Sequence, residues 1–195
     1  YMCHIQENAE QAVRGMLKDL SKREGMAQID SLEAADFLDD GSPIALRITI
    51  DRSDGSAVFD FGGTGPELWG NLNAPMAVTN SAILYGLRCL IRQEIPLNQG
   101  CLNPIRVLVP PGTLLSPSEN AAVVGGNVLT SQRVADVIFL AFHACAASQG
   151  CTNKRMYFQG LGLRTAETES GVPKNGTSWG RACSLEPKWQ PAQAC

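Results

Sequence analysis

Apolar residues Ile5, Ala9, Val13, Met16, Leu17 and Leu20 recur every three or four positions among Glu, Gln, Arg and Lys. That is the period of an amphipathic helix over residues 1–20. Residues 21–41 are polar and acidic and read as a connection, with Asp36, Asp39, Asp40 and Gly41 marking a turn. The period then changes to two: Ile44, Leu46, Ile48 and Ile50 alternate with other residues, as in a strand with one buried face. Asp54-Gly55 supplies the positive φ of a hairpin connection, and residues 57–61 return as the second strand. After the glycine-rich stretch 62–66, Asn73 as N-cap and Pro75 in the first turn open a second helix over 75–93. A connector spans 95–104, residues 105–109 form a short apolar strand closed by Pro110-Pro111-Gly112, and 114–126 is a loop. A third helix starts at Asn127 or Val128 and runs to about Ser148, with Gly150 at its C-terminal cap. The pattern predicts an α/β fold with one β-hairpin and three main helices.

Neither period persists beyond Asn153. Residues 154–195 are punctuated by Gly, Pro, Ser, Thr and Gln and are expected to form a disordered tail. Their charge also differs, with six basic and three acidic residues, so +3 stands against −6 for residues 1–153 and sums to the net −3. A chain of 195 residues has room for one sizeable core, and residues 1–153 carry it.

The acidic balance and pI of 5.4 argue against a nucleic-acid partner, which calls for a basic stripe. No apolar run reaches the ~18 residues of a membrane helix; the best stretch, 74–91, is broken by Pro75, Thr79, Asn80, Ser81 and Arg88. No signal peptide opens the chain, and Tyr1 in place of an initiator Met marks it as a segment of a longer product. Seven cysteines, an odd number with no CxxC, read as reduced thiols in the cytosol. Cys89 and Cys145 lie in apolar helical stretches as small hydrophobes, and no two Cys or His stand at zinc-ligand spacing. His143, inside the expected third helix, reads as a packing histidine.

Two Asn/Gly-rich segments carry the candidate chemistry. One is Gly70-Asn71-Leu72-Asn73-Ala74-Pro75; the other is Gly125-Gly126-Asn127-Val128-Leu129-Thr130-Ser131-Gln132-Arg133. Each sets amide side chains and free N–H groups at a helix start, where an anion or polarised carbonyl is readily held. Asn71, Asn73, Asn127, Ser131, Gln132 and Arg133 are therefore the candidate substrate-binding residues. The structural alternative for the second segment is a capped core helix, with Arg133 solvated or paired with Asp136. Loop 62–66 lacks the lysine of a phosphate-binding P-loop and reads as a tight turn or as a close approach of backbone to ligand. Asp60 alternates with Phe59 and Phe61 and faces away from them, toward solvent or a pocket. Nothing beside Cys101 or Cys151 lowers a thiol pKa, so catalytic residues stay unknown and no metal site is assigned.

Together with Phe59-Asp60-Phe61-Gly62-Gly63-Thr64-Gly65-Pro66 before them and Ala147-Ser148-Gln149-Gly150-Cys151-Thr152-Asn153 after, these segments resemble the hydantoinase B-type half of the 5-oxoprolinases. The likeness covers residues 1–153 and stops at Lys154-Arg155-Met156-Tyr157, which makes 154–195 a divergent end from a frameshift, alternative splicing or misprediction. The resemblance implies ATP-dependent hydrolysis of 5-oxo-L-proline to L-glutamate in glutathione metabolism. It implies a cytosolic homodimer, with ATP and Mg bound by a hydantoinase A-type half that this chain does not include. It also admits an inactive truncated isoform that pairs with the full-length enzyme, or a hydantoinase-type hydrolase of another lactam.

Overall fold

The structure is a computed structural model and describes residues 2–91, 93, 95 and 98–144. Its elements run α1 (Met2–Arg23), β1 (Ile29–Phe37), β2 (Pro43–Asp51), β3 (Ser56–Asp60), α2 (Met76–Leu90), a 3₁₀ turn (Gln99–Leu102), β4 (Ile105–Leu108), a π-helical turn (Gly126–Thr130) and α3 (Ser131–Ala141). The expected hairpin and three helices are all present.

The strands form one sheet in the order β1-β2-β3-β4. β1, β2 and β3 are antiparallel neighbours, and β4 joins β3 in parallel after the crossover through α2. The alternation in β2 is decisive. Ile44, Leu46, Ile48 and Ile50 all point to one buried face, where Ile48 stands opposite Phe59 and Ile50 opposite Ala57. The helices cover that face. Ala9, Val13 and Leu17 from α1 and Val134, Val137, Ile138 and Ala141 from α3 are fully buried against it. Fully burying a side chain such as Leu17 or Ile138 contributes about 1.5–3 kcal/mol. Phe142, just past α3, packs on Phe59 with ring centroids 6.1 Å apart.

Several local expectations change. Residues 29–37 form an edge strand where the sequence reads as a connection, because backbone pairing with β2 over nine residue pairs outweighs the scarcity of apolar side chains. The turn there is confined to 39–41, with Gly41 at φ 89. The second helix starts at Met76 with Pro75 at its N-cap, so Asn73 caps nothing. The third helix begins with a π turn and ends at Ala141, short of Ser148. His143 therefore lies beyond it, at φ 52, with its side chain exposed and Nδ1 3.5 Å from a Glu24 oxygen; it is not a packing histidine. Cys89 is exposed on α2, whereas among the described cysteines Cys101 is the buried one. Gly150, Cys145, Cys151 and the expected tail 154–195 lie outside the described residues.

Candidate functional site

The two Asn/Gly segments, more than fifty residues apart in sequence, pack directly on each other. The Gly125 N–H donates to the Asn71 carbonyl at 2.8 Å, and the Thr130 hydroxyl donates to the Leu72 carbonyl. Side chains at 125 and 126 are excluded by this contact. A Cβ on Gly125 meets the Asn71 carbonyl oxygen at 2.9 Å, and one on Gly126 meets the Asn73 carbonyl oxygen at 2.0 Å. The glycines there serve backbone-to-backbone packing, which fixes where α3 starts relative to α2.

Asn73 locks the same junction. It is fully buried. Its Oδ1 accepts from the Leu68 N–H at 2.7 Å, and its Nδ2 donates to the carbonyls of Leu68, Gly70 and Ala122 at 2.8, 3.1 and 3.1 Å. Both amide hydrogens of Asn73 are thus engaged by the chain itself, and the side chain braces the junction. Asn71 differs, since its Oδ1 is buried without a hydrogen-bond partner in the described structure.

Arg133 is likewise committed. Its guanidinium donates to the Asp36 carboxylate at 2.8 Å, with the two side chains only 11% and 14% exposed. The sequence offered Asp136 as the partner in an ion pair; the structure supplies Asp36, from the edge strand that sequence reading missed. The pair ties α3 to β1. Breaking a largely buried pair strands a charge, so Arg133→Ala and Asp36→Ala are each expected to cost about 3 kcal/mol. The double variant should cost clearly less than the sum, as a urea-denaturation double-mutant cycle would show.

Asn127, Ser131 and Gln132, by contrast, come together. They line one wall of an open groove of 880 Å³ between α2 and α3, a volume within the range of small-molecule sites. Asn127 is exposed, and the Ser131 hydroxyl donates to its carbonyl at 2.6 Å. Across the groove stand Tyr85 and Cys89 of α2, and Tyr85 packs edge-on to Phe139 with centroids 6.0 Å apart. The Tyr85 phenol is pushed above its ordinary value, first by the neighbouring Cys89 charge and hydrogen bond, then by burial and by Asp136. Asn71, Asn73 and Arg133 are not on this lining.

Asp136 also lines the groove, and sequence reading noticed it only as a partner for Arg133. It is 7% exposed, and burial pushes its carboxyl up to about 7; the Arg133 charge opposes this and the Asp36 charge adds to it. The signal that locates it is its position one turn after Gln132, on the same face of α3.

The remaining candidates resolve as local structure. In loop 62–66 the N–H groups of Gly62, Thr64 and Gly65 donate to Asp60 Oδ1 and to the carbonyls of Phe61 and Pro43. Amides spent in this way do not fit a phosphate cradle, and Asp60 serves as the acceptor of that turn. Among the described residues no group of three or more His, Cys, Asp or Glu side chains is placed to hold a metal ion. No described helix is long and apolar enough to cross a membrane.

Three antiparallel strands extended by a parallel fourth, covered on one face by helices and carrying an amide-lined interhelical groove, define an α/β sheet-and-helix module. The chain belongs to the hydantoinase B/oxoprolinase family, whose profile matches residues 1–179. That span runs past Asn153, so the family likeness extends further than the motifs alone indicate. The chain is 58% identical over 153 residues to the 5-oxoprolinase of Dictyostelium discoideum, covering 78% of this chain and 12% of that protein. It is 56% identical over 160 residues to 5-oxoprolinase 1 of Arabidopsis thaliana, covering 78% of this chain and 13% of that protein. It therefore spans about an eighth of the length of these relatives. Among solved structures, the ATP-dependent caprolactamase from Pseudomonas jessenii shares the fold, with a TM-score of 0.59 at 21% identity over 71% of this chain and 23% of that one.

Proposed function

We propose that this chain is a segment of an ATP-dependent 5-oxoprolinase, a hydrolase of cyclic amides that converts 5-oxo-L-proline to L-glutamate in the cytosol. The observation that carries this reading is identity above one half, across most of the described residues, with proteins named 5-oxoprolinase. The site chemistry agrees. Opening a lactam requires the carbonyl oxygen to be held as charge gathers on it, and preorganised amide donors do this well. Asn127 and Gln132 present such donors at one groove wall, and Ser131 buttresses the Asn127 backbone. In this reading ATP with Mg makes the amide oxygen a leaving group. Loop 62–66 spends its Gly62, Thr64 and Gly65 amides on its own chain, and this reading gives the nucleotide to the hydantoinase A-type half of the parent homodimer.

The test is Asn127→Ala in the full-length protein. Asn127 is exposed, so the fold should survive the change. Loss of one neutral hydrogen bond of about 1.4 kcal/mol corresponds to a roughly tenfold fall in kcat/KM for 5-oxoproline. Unchanged steady-state constants in a folded variant would remove the groove from the substrate site.

A further inference from the structure

Among the described residues Asp136 is the only buried carboxylate, and its Oδ2 has no hydrogen-bond partner. Such an atom demands a donor, because an unsatisfied buried acceptor is costly and a charged one more so. Arg133, whose charge acts on Asp136, donates to Asp36 and does not hydrogen-bond this oxygen. Of the groove's other lining residues, Ala82, Ala135, Leu90 and Phe139 offer no side-chain donors, and none of its polar ones, Tyr85, Cys89 and Ser131 among them, bonds that oxygen. An occupant that satisfies Asp136 therefore combines an apolar body with one N–H donor.

The second group that fixes the ligand class is Gln132. It lies four residues before Asp136 on α3 and lines the same groove. An amide donor and a carboxylate acceptor at i and i+4 stand side by side on one helix face. A cyclic amide presents the matching edge, since ring closure holds its N–H and C=O on the same side of the C–N bond. We infer that Asp136 accepts the ring N–H of a cyclic amide seated in the α2–α3 groove, with Gln132 donating to the lactam carbonyl and the ring methylenes against Ala82, Ala135 and Phe139. This assignment rests on the lactam-hydrolase reading above and deepens it, by giving Asp136 the task of selecting a secondary over a tertiary lactam.

Ionisation strengthens the acceptor, since a carboxylate accepts a stronger hydrogen bond than a neutral carboxyl. The charge of Asp136 is set first by burial, then by Arg133 on α3, which favours ionisation, and by Asp36 on β1, which opposes it; Tyr85 and Cys89 of α2 also face the groove. Because Asp136 titrates near 7, kcat/KM for the lactam should rise through neutral pH as the carboxylate forms.

The experiment compares 5-oxoproline with its N-methyl analogue in the full-length protein, as wild type, Asp136→Asn and Asp136→Leu. Leucine replaces an unsatisfied buried acid with an apolar group of similar size, so Asp136→Leu should keep the wild-type melting temperature or exceed it. The expected result is at least a tenfold higher KM for 5-oxoproline in Asp136→Leu, with the preference over the N-methyl analogue lost. Asp136→Asn, which keeps an acceptor oxygen and the shape of the side chain, should retain part of the preference and lose the rise in kcat/KM through neutral pH. Wild-type KM, analogue preference and pH profile in both variants would overturn the inference and leave the lactam-hydrolase reading standing. A melting temperature lowered in both variants, with kcat falling and KM unmoved, would assign Asp136 a structural role and equally overturn it. Absence of 5-oxoproline hydrolysis in the wild type would instead sink the underlying reading.

Discussion

Gly126→Ala should destabilise the chain by about 3 kcal/mol or more, at the upper end of what overpacking a core costs. The added Cβ would stand 2.0 Å from the Asn73 carbonyl oxygen, 2.8 Å from its carbonyl carbon and 3.0 Å from the Ala74 Cα. All three are backbone atoms, so no rotamer change relieves the clash. Relief requires the start of α3 to move away from loop 70–75. Asn127, Ser131 and Gln132 sit on that turn and the next, so their donors would shift with it, and displacements of about 1 Å at a reacting centre can cost two orders of magnitude in rate. Urea denaturation should show a lower midpoint at an unchanged slope, and the full-length variant should lose turnover. Wild-type stability would mean that the two segments do not interlock as described.

Asn73→Ala is expected to be nearly as damaging, at about 3–5 kcal/mol, from lost hydrogen bonds and polar groups left buried without partners. The four bonds of this one amide join residues 68 and 70 to Ala122 in the loop before α3. Asn73→Asp is the sharper variant. It keeps the acceptor for the Leu68 N–H but removes both hydrogens that reach the three carbonyls. It should therefore be no better than alanine at neutral pH, and amide exchange in loops 66–72 and 119–124 should speed up in both. Protection equal to wild type in either variant would contradict the scaffold role.

Much of this architecture is legible in the sequence because two periods carry it. The alternation from Ile44 to Ile50 and the Asp54-Gly55 turn are local signals, and the hairpin follows them. The 3–4-residue recurrence in α1 is equally local. β1 is not legible in this way. Its side chains are exposed or half-buried throughout, and its pairing with β2 is a backbone property that leaves little trace in hydropathy. With Asp36 read as a turn residue, nothing in the sequence points to its ion pair with Arg133. The Asn/Gly segments were recognisable as special, but not the reason for it. A helix-start amide can bind substrate or satisfy its own chain, and only the tertiary contact separates Asn73, which braces the junction, from Asn127, which faces the groove. Asp136 drew attention only as a partner for Arg133, because an acid among Val134, Ala135 and Val137 looks like an ordinary helix residue until its burial is known.

The proposed activity, opening of 5-oxoproline at the expense of ATP by the full-length protein, is open to direct test. The direct measurement follows glutamate and ADP released by the purified full-length protein from 5-oxoproline and Mg-ATP, with either reactant omitted as control. The account predicts that glutamate appears only when both are present and that ADP accompanies it. ATP-dependent turnover of a different lactam, or no glutamate from 5-oxoproline in a folded protein, would contradict it.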